Sequence, residues 1–227
     1  MIIITGASRG IGKFLFDRYS QNKDVCGTYL TTVPKTLEQG NFFQVDVSSR
    51  ESVECFFQTM NDKLVDIVLI NCAGISYNCF THKSEPEKWR RVVETNLIGT
   101  YHMIRFALPL MRCQNYGRII NFSSVIAQKG TPGVSAYAAS KAGLWGLTRS
   151  LAQENGSKGI TINNINLGYV QAGMGVEQVP KAFQNIIKEQ IPSKEFCTLS
   201  DILKTVDYLI DTPYINGTSI DLNGGLI

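Results

Sequence analysis

The chain has 227 residues and 25.2 kDa, 44% of them hydrophobic, with 22 basic and 19 acidic side chains for a net charge of +3. That length can bury one sizeable core and that composition excludes a disordered or fibrous chain, so one domain over residues 1–227 is expected. The near-balanced charge excludes the basic footprint of a dedicated nucleic-acid binder.

The opening run, residues 1–5, is apolar with no basic region before it, and reads as a buried strand rather than a secretion signal. It leads into Thr5-Gly6-Ala7-Ser8-Arg9-Gly10-Ile11-Gly12, where a helix is expected over residues 11–19. Gly6 suits a tight turn, Gly10 lets the main chain approach a pyrophosphate, and Gly12 allows the helix to pack closely on the sheet. The free N–H groups of the helix start then face the anion. A second strand, residues 25–29, ends in Tyr29, Leu30, Thr31 and Thr32, without the carboxylate that would hold an adenosine ribose hydroxyl and repel a 2′-phosphate. Arg9 offers such a phosphate a guanidinium fork and Lys35 a second positive charge, which favours NADP(H) over NAD(H).

A third strand is expected over residues 41–45, a helix over 50–61 and a fourth strand over 66–71. A long helix over 86–111 follows. Asn96 is a poor interior residue for it, because its amide competes for backbone groups; it predicts a kink, and an amide able to hold a water. The fifth strand, 117–122, carries Asn121, Ser123 and Ser124 toward the same crevice as the glycine turn, with Ser124 able to bond a substrate oxygen and one of the two serines serving only as a cap. In the helix over 136–154, Tyr137 and Lys141 are one turn apart, so an ammonium shares a face with a phenol and is expected to lower its pKa. The glycine-rich stretch 168–180 reads as a mobile lid. A sixth strand over 160–165, helices over 181–189 and 199–211 and a seventh strand over 219–222 complete the chain. Strands that alternate with helices, most of them continuously apolar, predict an α/β doubly wound Rossmann fold: a seven-stranded parallel sheet with helices on both faces.

The six cysteines form no CxxC pair and the two histidines no zinc-ligand spacing, so no metal site and reduced thiols in a cytoplasm are expected. No apolar stretch reaches the roughly 18 residues that would cross a bilayer, so no membrane partner is expected. Trp89 and Trp145, with apolar residues on more than one face of their helices, suggest packing between subunits. Arg105, Arg112, Arg118 and Lys129 could form a basic patch at a site entrance, a solvated face being the simpler reading.

Assembled, these residues resemble the short-chain dehydrogenase/reductase family over essentially the whole chain. The glycine turn, the Asp46-Val47 step, Asn71-Cys72-Ala73-Gly74, Asn96, Ser124, the Tyr137 and Lys141 pair and the terminal Asn223-Gly224-Gly225 stand in family order. The run GRIINFSSVIAQKGTPGVSAYAASKAG is most similar to 3-oxoacyl-carrier-protein reductases. The resemblance implies Tyr137 as general acid/base, Lys141 on the nicotinamide ribose, Ser124 on the carbonyl and Asn96 anchoring a relay water. It implies a cofactor site of Gly6, Ser8, Arg9, Gly10, Ile11, Gly12, Asp46, Val47, Asn71, Ala73, Gly74, Tyr137, Lys141, Gly168 and Val170, with Asp46 on the adenine and Asn71, Ala73 and Gly74 along the adenosine ribose. The implied activity is NADPH-dependent reduction of a ketone or 3-oxoacyl thioester, the thioester of an acyl carrier protein included, by direct hydride transfer in a homotetramer or homodimer. A sugar, nucleotide-sugar or polyol dehydrogenase would carry the same residues. A non-catalytic NADP-binding scaffold is the rival from another class. Its support is two departures from the family pattern, Leu167 where proline is usual and Ala172 where threonine is usual; Cys72 for asparagine is a third, of small effect.

Overall fold

The computed structural model describes residues 1–34, 41–173 and 180–227. Seven parallel strands form one sheet in the order β3-β2-β1-β4-β5-β6-β7: β1 Ile2–Thr5, β2 Val25–Tyr29, β3 Phe42–Gln44, β4 Val68–Asn71, β5 Gly117–Ser124, β6 Ile160–Leu167 and β7 Ser219–Leu222. The helices are α1 Gly10–Tyr19, α2 Arg50–Met60, α3 Pro86–Val93, α4 Gly99–Gln114, α5 Ile126–Lys129, α6 Ser135–Asn155, α7 Lys181–Gln190 and α8 Leu199–Asp211. They bury both faces of the sheet. Successive residues of β1 show why the strand is apolar throughout: Ile3 enters the core under α2 and α4, while Ile2 and Ile4 enter the core under α1 and α8. This is the doubly wound Rossmann architecture expected. The strand order reverses between β1 and β4, and the register Thr5↔Asn71 sets the ends of those two strands side by side, opening a crevice at their carboxyl ends.

Three expectations are corrected. The helix expected over 86–111 is three pieces, because a π-helical turn, Glu94–Ile98, separates α3 from α4 with Asn96 at its centre. The sixth strand carries Asn163, Asn164 and Asn166, which are buried with each amide paired. Asn163 Nδ2 donates to Ile215 O (2.8 Å), Asn164 Oδ1 accepts from Thr148 Oγ1 (2.7 Å), and Asn166 Nδ2 donates to Asp221 Oδ1 (2.8 Å). Both β5 and β6 run two residues further than expected, ending in the pair Ser124↔Leu167.

The third correction concerns the surface. Arg118 is buried, its guanidinium donating to the carbonyls of Ile210, Gly117 and Gly159, and Arg112 donates to Asn155 Oδ1 at 2.8 Å; neither belongs to a basic patch at a site entrance. Trp89 Nε1 donates to Ser135 Oγ and Trp145 Nε1 to Ser123 Oγ and Asn166 Oδ1, so both indoles are tied into their own chain. Among the described residues no helix is long and apolar enough to cross a membrane.

Candidate active site

A cleft of about 510 Å³ opens at the carboxyl ends of the strands, and the glycine turn forms one wall of it. Gly6 has φ +64°, and a Cβ there would sit 2.9 Å from Ala73 Cα; one on Gly12 would sit 2.4 Å from Gly6 O. Only glycine lets β1, α1 and the strand-end segment of β4 meet this closely. Gly10 (φ +55°) and Gly173 (φ +65°) face one another across the turn, backbone to backbone. Ser8 and Ile11 line the same wall, and the amide-rich start of α1 carries no acidic residue in its first turn. The turn is thus shaped for the phosphates of a dinucleotide.

At the adenosine end, Tyr29, Leu30, Thr31 and Thr32 line the cleft together with Arg9, which is exposed and has no partner among the described residues. Lys35, read as a second cation for a 2′-phosphate, lies outside the described residues. Asp46 Oδ1 accepts from the backbone and hydroxyl of Ser48 at 2.9 and 2.6 Å, which fixes the carboxylate at the cleft wall beside Val47. Cys72, Ala73 and Gly74 line the cleft. Asn71 does not: it is buried behind that wall, its Nδ2 donating to Asn121 Oδ1 at 2.8 Å, and its own Oδ1 has no partner. Its side chain braces β4 against β5, in place of the ribose contact expected.

At the other end Ser124, Tyr137 and Lys141 converge. Lys141 is buried, donates to Phe122 O at 2.7 Å and lies 5.6 Å from the centre of the Tyr137 ring; a Cβ on Gly74 would be 3.7 Å from its Nζ. Burial pulls the Lys141 ammonium down to about 8. Burial likewise pushes the Tyr137 phenol up to about 12, and the Ser124 hydroxyl, hydrogen-bonded to it, acts in the opposite direction. The lowering expected from Lys141 is not seen: burial sets the direction of the phenol's shift. Ser123 is the structural serine of the pair, donating to Lys141 O at 3.0 Å.

Asn96 has its amide fully engaged: Oδ1 accepts from Ile75 N (2.8 Å), and Nδ2 donates to Ile75 O (2.9 Å) and Ser140 Oγ (3.1 Å). Both amide hydrogens are engaged within the chain, and Asn96 clamps the chain after Gly74 against α6. The segment read as a lid is tied down in its described part: Val170 bridges Cys197, Gln171 N donates to Cys197 O and Cys197 N to Tyr169 O, while residues 174–179 lie outside the described residues. Gly168 and Val170 line the cleft, and a Cβ on Gly168 would sit 2.9 Å from Asn223 Cα. Leu167 in the usual proline position continues the ladder and accepts from Val125 N at 2.9 Å; Ala172 lines the cleft without a hydroxyl.

The cleft also contains Ser76, Asn78, Arg91 and Thr95, which the sequence reading passed over. The available signal was the spacing of Arg91, Thr95 and Gly99 by fours, which puts them on one helical face. No group of three or more histidine, cysteine or acidic residues among those described could hold a metal.

The family model for short chain dehydrogenase matches residues 1–182. The chain is 33% identical over 236 residues to a 3-oxoacyl-[acyl-carrier-protein] reductase of Haemophilus influenzae, covering 99% of this chain and 96% of that protein. It is 36% identical over 233 residues to an acetoacetyl-CoA reductase of Shinella zoogloeoides, covering 98% and 96%. A 3-oxoacyl-[acyl-carrier-protein] reductase of Pseudomonas aeruginosa is 33% identical over 237 residues, covering 99% and 96%. A parallel sheet with a glycine-turn cradle facing a Ser-Tyr-Lys cluster, matched by these relatives over nearly their whole length, makes the chain an oxidoreductase of the short-chain dehydrogenase/reductase family.

Proposed function

We propose that the protein reduces the ketone of a 3-oxoacyl thioester to a hydroxyl, with NADPH as the reductant and Tyr137 as the general acid. The observation that carries this reading is the convergence of Ser124, Tyr137 and Lys141 at one end of a cleft whose other end is the glycine turn. The residues present fit the dinucleotide: Gly10 and Gly173 leave open backbone for its phosphates, and Gly74 leaves open space beside Lys141. Arg9 would hold the 2′-phosphate, Asp46 and Val47 the adenine, Ala73 and Gly74 the adenosine ribose, and Lys141 the nicotinamide ribose. When bound, the dinucleotide supplies a hydride to the carbonyl carbon.

The chain's own residues handle the oxygen. Ser124 Oγ donates to the substrate carbonyl and holds it against the Tyr137 phenol. Tyr137 Oη then gives its proton to the oxygen as negative charge develops there. A phenol pushed up to about 12 stays protonated at neutral pH and still acidifies an alkoxide. The charged Lys141 stabilises the phenolate left behind. Asn96 keeps Ile75, and with it Gly74, at the distance from α6 that this arrangement needs. The names of the relatives, a 3-oxoacyl-carrier-protein reductase and an acetoacetyl-CoA reductase, support the choice of substrate class over a sugar or polyol.

The test is a comparison of NADPH oxidation on acetoacetyl thioesters, simple diketones, quinones and sugars. The highest kcat/KM is expected on the thioesters. NADP-linked oxidation of a sugar or polyol at a higher kcat/KM would overturn the substrate assignment.

A further inference from the structure

Arg9 and Lys141 are accounted for by the dinucleotide, but the cleft carries a third cation, Arg91, against Asp46 as its lining carboxylate. The neighbouring Arg90 is paired on the outer face of the helix with Glu87 and Glu94. Arg91 is exposed, lines the cleft and has no carboxylate partner among the described residues. Asn78, also exposed and lining the cleft, carries an amide that bonds none of them.

Position along the helix assigns these groups to the mouth of the cleft. Gly99 packs on Val47 at the adenosine end, a Cβ there meeting Val47 Cγ2 at 2.7 Å. Arg91 precedes it by eight residues, on the far side of the π-helical turn Glu94–Ile98. In the other direction Trp89 Nε1 donates to Ser135 Oγ at 3.1 Å, two residues before Tyr137. Asn78 lies on the segment that leaves Asn96 at Ile75 and is fastened again where Cys79 N donates to Gly133 O at 2.7 Å. Ile126 and Val134 add apolar lining to the same cleft.

We propose that Arg91 and Asn78 bind the phosphate of a substrate carried on a phosphopantetheine arm, the group shared by coenzyme A and an acyl carrier protein. A guanidinium takes a phosphate by two parallel N–H bonds and an amide adds a third donor. The apolar lining accommodates the arm between phosphate and thioester. The dinucleotide phosphates are already served by the glycine turn and Arg9 in the proposed reading, which leaves this cation to the substrate. The inference rests on the acyl-thioester reading.

The experiment compares acetoacetyl-phosphopantetheine with acetoacetyl-pantetheine, which differ only in the phosphate, in the parent protein and in Arg91→Ala, Arg91→Lys and Asn78→Ala. In the parent the phosphorylated substrate should have a KM about tenfold lower, the effect of one charge-assisted hydrogen bond. In Arg91→Ala the two KM values should converge, with kcat and the KM for NADPH unchanged; Arg91→Lys should keep part of the preference, and Asn78→Ala should lose part of it. Acetoacetyl-CoA and an acetoacetyl carrier protein should both show the Arg91 dependence, the lower parental KM identifying the natural carrier. Turnover of both pantetheine substrates with equal KM in the parent would overturn this proposal and leave the thioester reading standing. A rise in the KM for NADPH alone would move Arg91 to the dinucleotide and also overturn it. Turnover of neither substrate would overturn the thioester reading and this proposal together.

Discussion

At the scale of single residues, the proposed preference for NADPH rests on Arg9, an exposed guanidinium at the glycine turn beside a strand end that offers hydroxyls and no carboxylate. Arg9→Glu should weaken NADPH binding at least tenfold while leaving NADH nearly unchanged, as read by fluorescence titration of each; equal losses would remove Arg9 from this role. Lys141 gives the pH dependence. Held at about 8 by burial, it is charged below that pH and neutral above it. In the proposed mechanism its charge stabilises the phenolate formed on reduction, so kcat/KM for reduction should be flat below about pH 8 and fall above it. A profile that rises through pH 8 would contradict the assignment. The spacing of Tyr137 and Lys141 was legible in the sequence, because one helical turn puts both on one face. Their titration was not, because desolvation depends on everything packed around them. Asn96 and Asn71 illustrate the same limit: the sequence marked Asn96 as a poor helix residue and set Asn71 in a family motif, but which groups their amides bond is fixed by distant segments, Ile75 and Ser140 for one and Asn121 for the other.

At the scale of elements, the parallel strands are pinned by a chain of buried amides and hydroxyls. Asn71 donates to Asn121, Asn121 to Thr148 and Asn164, and Asn164 to Ser219, linking β4, β5, α6, β6 and β7 behind the catalytic groups. Such a network fixes register, since a shifted strand would leave several buried groups unpaired. Asn121→Ala should destabilise the protein by about 2 kcal/mol or more in urea denaturation with an unchanged m-value, because Asn71 would lose the acceptor of its amide. A cost under about 0.5 kcal/mol would show that the network is not what holds the strands. Strand and helix identity was legible from apolar runs alone. The network was not, because the asparagines of β6 interrupt the apolar pattern with no local sign that each has a partner. The π-turn was half legible: Asn96 signalled a break, but not its form.

At the scale of the whole molecule, the alternation of strands and helices carried the architecture. The position of the site followed from it, since strand order in a doubly wound sheet fixes where the crevice opens. Assembly was the least legible property. Trp89 and Trp145 turn inward, whereas Ile98, at the end of the π-helical turn, and Tyr101, in the first turn of α4, leave 41% and 44% of their surface exposed. A homotetramer or homodimer that covers this face is the proposed assembly, and light scattering at micromolar concentration should find it; a monomer would refute it. All of these scales meet in the phenol of Tyr137, placed by α6, bonded by Ser124 and facing the glycine turn across the cleft. The most direct measurement is therefore Tyr137→Phe, assayed for turnover on the best thioester and for NADPH binding in the same preparation. Turnover should fall by roughly 10²–10⁴-fold, the usual worth of a positioned proton donor, with NADPH affinity retained. A Tyr137→Phe protein as active as its parent would contradict the account.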